Sequence, residues 1–301
     1  MIKTVKVTNH VGESITMELR FPEKSGFLIQ KIEGLGPSKA DINLSRIVGM
    51  DGSIYNSAYA ESKNIVFNIL FVEFPTIEDS RHNSYKYFPL KKLIKLEFET
   101  DKRTSVIYGY VESNEPDIFN EQSACTISIV CPEAYFHDID DQITTFSNIF
   151  SKFEFPFSNN SLVDKLLVIS YLEYNTTKII TYLGDSDVGI LLHIHAVGVA
   201  TGIQVINSLT NESIFIDDSI ITSITGSGIV AGDDIYISSV DGDKYIILIR
   251  GGNEYNILNS LGPNPDWFRF ILGDNILLYT AITGLSNLLF EVRNKVAYSG
   301  V

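Results

Sequence analysis

The sequence is poor in the residues that staple a fold. Two cysteines, one tryptophan and three methionines stand among 301 residues. Cys125 and Cys131 fall in ACTISIVCPEA, which reads as one strand, so they share a face roughly 20 Å apart at about 3.3 Å per residue, whereas a disulfide needs Cα atoms within about 7 Å. They do not bridge each other there. CxxC spacing is missing, and two isolated thiols read as small buried hydrophobes in a chain that folds in a reducing place.

Long hydrophobic runs are missing too. The longest mostly apolar stretch, VGILLHIHAVGVA, is about a dozen residues and holds two histidines, against the roughly 20 that span a bilayer. The opening MIKTVKVTNHVG alternates like a strand and carries no signal-peptide h-region. A soluble chain without a membrane partner is expected. Positive charge is scarce: 23 Lys and Arg face 37 Asp and Glu, a net charge of −14. That balance argues against nucleic acid, whose binding begins with a positive face that releases counterions.

The motifs of common chemistry are likewise lacking. There is no GxSxG, no Walker loop and no GxGxxG before a helix, and GSGIVAG at 226–232 precedes a strand, so no helix end is available to hold phosphate. Glu112 and Glu115 in VESNEP are spaced like paired carboxylates, but in a hairpin turn both face water and keep ordinary acidities, so neither is read as a proton donor. His193 and His195 point the same way from one strand, as in an HxH metal pair. The third histidine and downstream glutamate that would close such a site are missing: the nearest downstream acid is Glu212, and His10, His82 and His137 lie outside this domain. With Ile190, Leu192 and Ile194 filling the inner face, the histidines decorate the outer one. The acid pairs Asp185/Asp187, Asp217/Asp218, Asp233/Asp234 and Asp241/Asp243 lack the ordered ladder of a calcium loop and read as acidic turns. No catalytic residue, metal site or cofactor is expected.

What is present is β-pattern. Hydrophobic residues make up 45% and charged residues 20%, a globular balance, and the length suits two domains. LIKLEFET alternates as a half-buried strand. NIVFNILFVEF, 64–74, is apolar on both faces and is expected either between two layers or against another subunit. Thr76 and Asp79 have capping-box spacing and Pro89 closes the segment, which predicts one short helix over 77–87. Strands at 103–112 and 124–131 flank SNEPDIFNEQSA, a turn-rich stretch, so a long hairpin is predicted. RHNSYKYFPLKKLIK gathers Arg81, Lys86, Lys91, Lys92 and Lys95 without an acid, as either a solvated face or a docking surface for an acidic partner.

Residues 137–160, with acids first and then Phe146, Phe150, Phe153, Phe155 and Phe157, read as a linker that docks. Beyond it, Asp-Gly and Gly-rich turns recur every ten or eleven residues, the beat of a β-sandwich such as a jelly roll. No second helical region is expected there. Trp267 and Arg269 in PDWFRF alternate with Phe268 and Phe270, which leaves core packing and a sugar-stacking platform both open. The fold class is therefore all-β with one short helix. An N-terminal β-barrel or sandwich domain spans 1–136, the linker 137–160, and a C-terminal jelly-roll domain 161–301.

YKYFPLKKLIKLEFETDKR followed by IYGYVESNEPDIFNEQSACTISIVCPEAYF resembles the distal tail protein family of tailed bacteriophages. LLHIHAVGVATGIQVINSLTNESIFID, GDDIYISSVDGDKYIILIRGG, DWFRFILGDN and the closing YSGV resemble that family's C-terminal domain. The resemblance covers essentially the whole chain, with residues 85–136 its most specific part. It implies a non-enzymatic virion protein of the tail tip, assembled in the host cytoplasm as a homohexameric ring. The ring joins the tail tube protein to the tail-associated baseplate hub and carries receptor-binding proteins. It also implies a galectin-like second domain and a C-terminus, 298–301, that returns to the first domain. On this reading GYVESNEPDIF engages neighbours, and interface candidates are Arg81, Lys86, Lys91, Lys92, Lys95, Phe67, Phe71, Glu112, Glu115 and Phe119. Asp138, Asp140 and Asp141 are candidate counterparts of the basic stretch. The alternative function is a saccharide-binding adsorption module with Trp267 and Arg269 as its contacts.

Overall fold

In the computed structural model the described residues are 1–49, 51–119, 123–151, 170–262 and 265–301, with the backbone alone for 148–151 and 170–174. The chain divides into two units, Met1–Asp140 with Ala297–Val301, and Asp141–Val296. Nearly everything regular in either unit is antiparallel strand.

The first unit opens with β1 (Ile2–Thr8), β2 (Ser14–Glu18) and β3 (Phe27–Glu33). The hairpin β4 (Ala40–Ser45) and β5 (Ile54–Ala60) follows, then β6 (Lys63–Phe71) and the helix α1 (Ile77–Tyr87). Next come β7 (Leu93–Thr100), β8 (Thr104–Pro116), β9 (Ala124–Cys131) and β10 (Phe136–Asp138). Their order in the main sheet is β2-β1-β7-β8-β9-β6-β3, with β10 beside β8. The residues that alternate inward, among them Val5, Val7, Phe67, Leu96, Phe98, Ile107 and Ile127, form one buried cluster.

The helix begins where its spacing predicts: the Thr76 hydroxyl accepts from the Asp79 N–H at 3.1 Å. Its buried side is made of Ser80 and Ser84, and Ser80 donates to the Val72 carbonyl at 2.6 Å, so the helix docks by hydrogen bonds as well as by burial. β8 runs further than predicted, to Pro116, which puts Glu112 and Glu115 on a strand instead of in a turn. The strand 64–74 is less two-sided than its composition suggests. β6 lies between β9 and β3, its odd-numbered residues are buried, and on the other side Asn64 is exposed while Val66, Asn68 and Leu70 are half-buried.

The described start of the stretch read as a linker is already structured. Phe136–Asp138 belongs to the first unit, while β11 (Gln142–Thr145) is an edge strand of the second and pairs with 291–294. The reason is Phe146, buried against Tyr279 with ring centroids 5.4 Å apart, which fixes the strand before it. Phe153, Phe155 and Phe157 and the side chain of Phe150 lie outside the described residues.

In the second unit β12 (Ser147–Ser151) pairs with β13 (Ser170–Tyr174). Then come β14 (Thr177–Tyr182), β15 (Val188–Gly189), β16 (Leu191–Ala196), β17 (Gln204–Asn207) and β18 (Glu212–Phe215). A second helix, α2 (Asp218–Thr225), precedes β19 (Asp234–Ser238), β20 (Tyr245–Arg250), β21 (Asn253–Asn256), β22 (Arg269–Phe270), β23 (Gly273–Thr280) and β24 (Leu288–Asn294). A six-stranded sheet, β11-β24-β16-β19-β20-β21, and a four-stranded one, β14-β23-β17-β18, share a single buried cluster, the arrangement of a β-sandwich. The helix α2 was not expected. Asp217 caps it through the Ser219 N–H at 2.8 Å and Gly226 ends it at φ 82°, a left-handed position that suits glycine.

From the second unit the chain returns to the first through β25 (Ala297–Tyr298), which pairs with β10.

Candidate assembly surfaces

The first unit carries an exposed apolar hairpin that none of the sequence motifs above announced. Among the described residues, strands β4 and β5 pair only with each other, and every described residue from Ala40 to Tyr59 is exposed to solvent. Ile42, Leu44, Ile54, Tyr55 and Tyr59 each keep about half or more of their surface accessible, and Val48 at the tip is fully accessible. Leu44 sits directly opposite Tyr55, and the Tyr59 hydroxyl donates to Asp41 at 2.6 Å. A lone two-stranded hairpin is at best marginally stable in water, and its free edges invite pairing with another chain. Covering a large aliphatic side chain returns about 2 kcal/mol, so this hairpin gains most when something packs on it. Its sequence signal is Asp51-Gly52 between two alternating runs.

The hairpin's roots are fastened. The Glu61 N–H donates to the Lys39 carbonyl at 2.9 Å, and a Cβ at Gly34, which sits at φ 82°, would collide with the Asn64 carbonyl. Lys63 is 3% exposed, and its ammonium donates to the carbonyls of Gly36 at 2.5 Å and Ser299 at 3.1 Å, 4.7 Å over the Phe136 ring. Burial holds its pKa below the usual lysine range. Arg103 donates to the Gly300 carbonyl at 2.7 Å and stacks 3.8 Å from the Tyr298 ring. Val301 donates to the Leu35 carbonyl at 3.1 Å.

Of the predicted interface residues, Phe67 and Phe71 are inside the core. Phe67 lies parallel to Phe98 at 6.3 Å, so these two side chains have no free face to offer a neighbour, and the reading of them as contacts is corrected. Their strand is apolar because it is paired on both edges, by β9 and β3, and turns these residues into its own unit's core. The basic stretch is largely neutralised within the unit. Arg81 pairs with Glu78, Lys86 with Glu13 at 3.0 Å and Lys95 with Glu97 at 2.7 Å. Lys91 and Lys92 remain exposed without an ion pair to a described residue, Lys91 in a left-handed turn at φ 62°. Glu112 accepts from the Ser128 hydroxyl at 2.9 Å, Glu115 is exposed, and Phe119 is fully exposed. Asp138 accepts from the Tyr298 hydroxyl at 3.0 Å, while Asp140 and Asp141 are exposed. Cys125 and Cys131 are free and buried, and burial pushes both thiols up to about 12.

In the second unit His193 and His195 have a partner that sequence distance hid. Both rings meet the same Oδ1 of Asp234 at 2.8 Å, since Asp234 stands across from His195 on β19, and His193 stacks on Tyr236 at 4.4 Å. Burial works against the charged Asp234, but the hydrogen bonds from His193 and then His195 outweigh it and lower its pKa. Among the described residues, no group of three or more His, Cys, Asp or Glu side chains is disposed to hold a metal ion. Asp233, read as a turn residue, is fully buried and takes two hydrogen bonds from Arg250. Phe268 and Phe270 are core, Trp267 is half-buried and packs against the same core cluster, and Arg269 is half-buried. Arg269 pairs with Asp241 at 2.8 Å and donates to the Asp187 carbonyl at 2.6 Å, and Lys244 lies 5.9 Å over the Trp267 ring.

No model of a known protein family matches the chain, and no curated protein matches it. Among solved structures, the Dit protein (gp 19.1) of phage SPP1, described as a paradigm of the hub adsorption apparatus in phages that infect Gram-positive bacteria, superposes with a TM-score of 0.66. The alignment covers 97% of this chain and 98% of that one at 10% identity. The phage P2 baseplate in its activated conformation also aligns, with calcium at a TM-score of 0.45 and with strontium at 0.44. Both alignments have 13% identity; they cover 97% of this chain and 98% of that one with calcium, and 96% and 97% with strontium.

Proposed function

We propose that this chain is a structural subunit of a phage tail tip, working by self-assembly into a ring. The fold it shares with the SPP1 protein runs through both units, so the likeness is to a whole architecture and not to one sandwich. The single observation that carries the reading is the β4–β5 hairpin of the first unit, which exposes apolar side chains and two edges that pair with no other described strand. In a rotational ring a patch on one copy meets a different patch on the next, so an exposed arm of this kind needs a receiving surface on the same chain. Six copies would form the ring, with the tail tube on one side, the tail-associated hub on the other and receptor-binding proteins at the periphery. The role calls for no reacting group. It places the protein at the virion tail tip after assembly in the host cytoplasm.

The saccharide-binding alternative draws less support, because Arg269 is already engaged and Trp267 is half-buried beneath Lys244. Native mass spectrometry of the purified chain tests the ring, and glycan-array binding by the same protein tests the alternative. A ring without glycan binding supports the proposal, and a monomer that binds glycan through Trp267 sinks it.

A further inference from the structure

We infer that residues 298–301 are a strap that sets the direction of the β4–β5 hairpin by tying its two roots together. The inference deepens the proposed ring and rests on the hairpin being its contact surface. The roots are the segments 34–39 and 61–64. Lys63 belongs to the second root, and its ammonium reaches both the Gly36 carbonyl of the first root and the Ser299 carbonyl of the strap. The strap in turn reaches the first root through the Val301 N–H and the Leu35 carbonyl. Three segments distant in sequence therefore meet at one node. Arg103 holds the strap from the side, by its bond to the Gly300 carbonyl and its stacking on Tyr298.

Two features make the node all-or-none. Among the described residues the ammonium of Lys63 donates to two carbonyl oxygens, with the face of Phe136 beneath it, so departure of the strap removes one of these two acceptors from a buried cation, which is costly. The strap is held through its backbone and through the Tyr298 and Val301 side chains, which pack against the core, and at Gly300 a Cβ would stand 3.0 Å from the Leu35 oxygen, tighter than ordinary contact. The strap also begins within β25, whose pairing with β10 is laid down only after residues 141–296. The hairpin is thus aimed only in a chain that has been completed through its second unit.

Hydrogen exchange on the full chain tests this. In the unaltered protein the Val301 and Glu61 amides should open together, with protection within about threefold of each other, because one event exposes both. Val301 exchanging freely while Glu61 stays protected would overturn the inference, and this needs no variant to fold. In Gly300→Val and Lys63→Met, the Glu61 amide should exchange about tenfold faster while β7 to β9 stay protected, the size expected for a lost hydrogen bond. Unchanged Glu61 exchange in either folded variant contradicts the strap. An unaltered chain that couples the two amides yet stays monomeric supports the strap and overturns the ring reading alone.

Discussion

Arg250 clamps Asp233 with two hydrogen bonds, Nε to Oδ1 at 2.7 Å and Nη2 to Oδ2 at 2.6 Å, and Asp233 has no solvent exposure. The same guanidinium also donates to Thr225 and Ser227 hydroxyls and to the Gly228 carbonyl, so it pins the end of α2 to β20. Removing one partner of such a pair leaves a buried group uncompensated. Asp233→Ala should cost about 3–5 kcal/mol in denaturant unfolding of the second unit. A loss below about 1 kcal/mol, the range of an exposed pair, would show that solvent replaces the carboxylate.

The thiols of Cys125 and Cys131 are buried and pushed up to about 12, so the thiolate is scarce at neutral pH. Iodoacetamide should leave both unmodified in the folded protein at pH 8 and label both in denaturant, as read by intact mass. Rapid labelling of the native chain would contradict their place in the core.

Asp234 titrates below the ordinary value of 3.8 because His193 and His195 bond its charged form. A depressed carboxylate contributes stability above its unfolded pKa and loses it as pH falls through the folded one. The contribution is complete at pH 5 and should fade below about pH 4. Unfolding midpoints of Asp234→Asn should therefore lie below those of the unaltered chain at pH 6 and approach them at pH 3. A constant difference across that range would remove Asp234 as the source.

Asp217 caps α2, so Asp217→Ala should destabilise the second unit by about 1 kcal/mol, while Asp217→Ser should be nearly neutral. Equal losses in both variants would mean that charge, and not the cap bond, matters there.

How much of this was legible varied with the range of the interactions involved. The helix α1 is set by neighbours three residues apart, Thr76 and Asp79, and the strand 124–131 by its own alternation; both stand in the sequence. The adjacent acids Asp233 and Asp234 look alike in a row, yet one is buried on Arg250 and the other faces two histidines, because successive side chains at a strand's start point opposite ways. The sharing of Asp234 depends on the register between β16 and β19, which no local pattern records. Phe67 and Phe71 were misjudged because a strand paired on both edges over its own core and a strand covered by another subunit have the same composition. The hairpin β4–β5 was missed for the converse reason. Its apolar content is modest, and those residues stand out only because, among the described residues, no third strand pairs with it.

The central claim is that the chain assembles through that hairpin. Native mass spectrometry or sedimentation of the full chain beside Leu44→Asp, with circular dichroism to check the fold, tests it most directly. A closed ring of identical copies for the unaltered chain, and a folded monomer for the variant, is the predicted result. A single copy at high concentration, or a ring that ignores a charge placed opposite Tyr55, would contradict it.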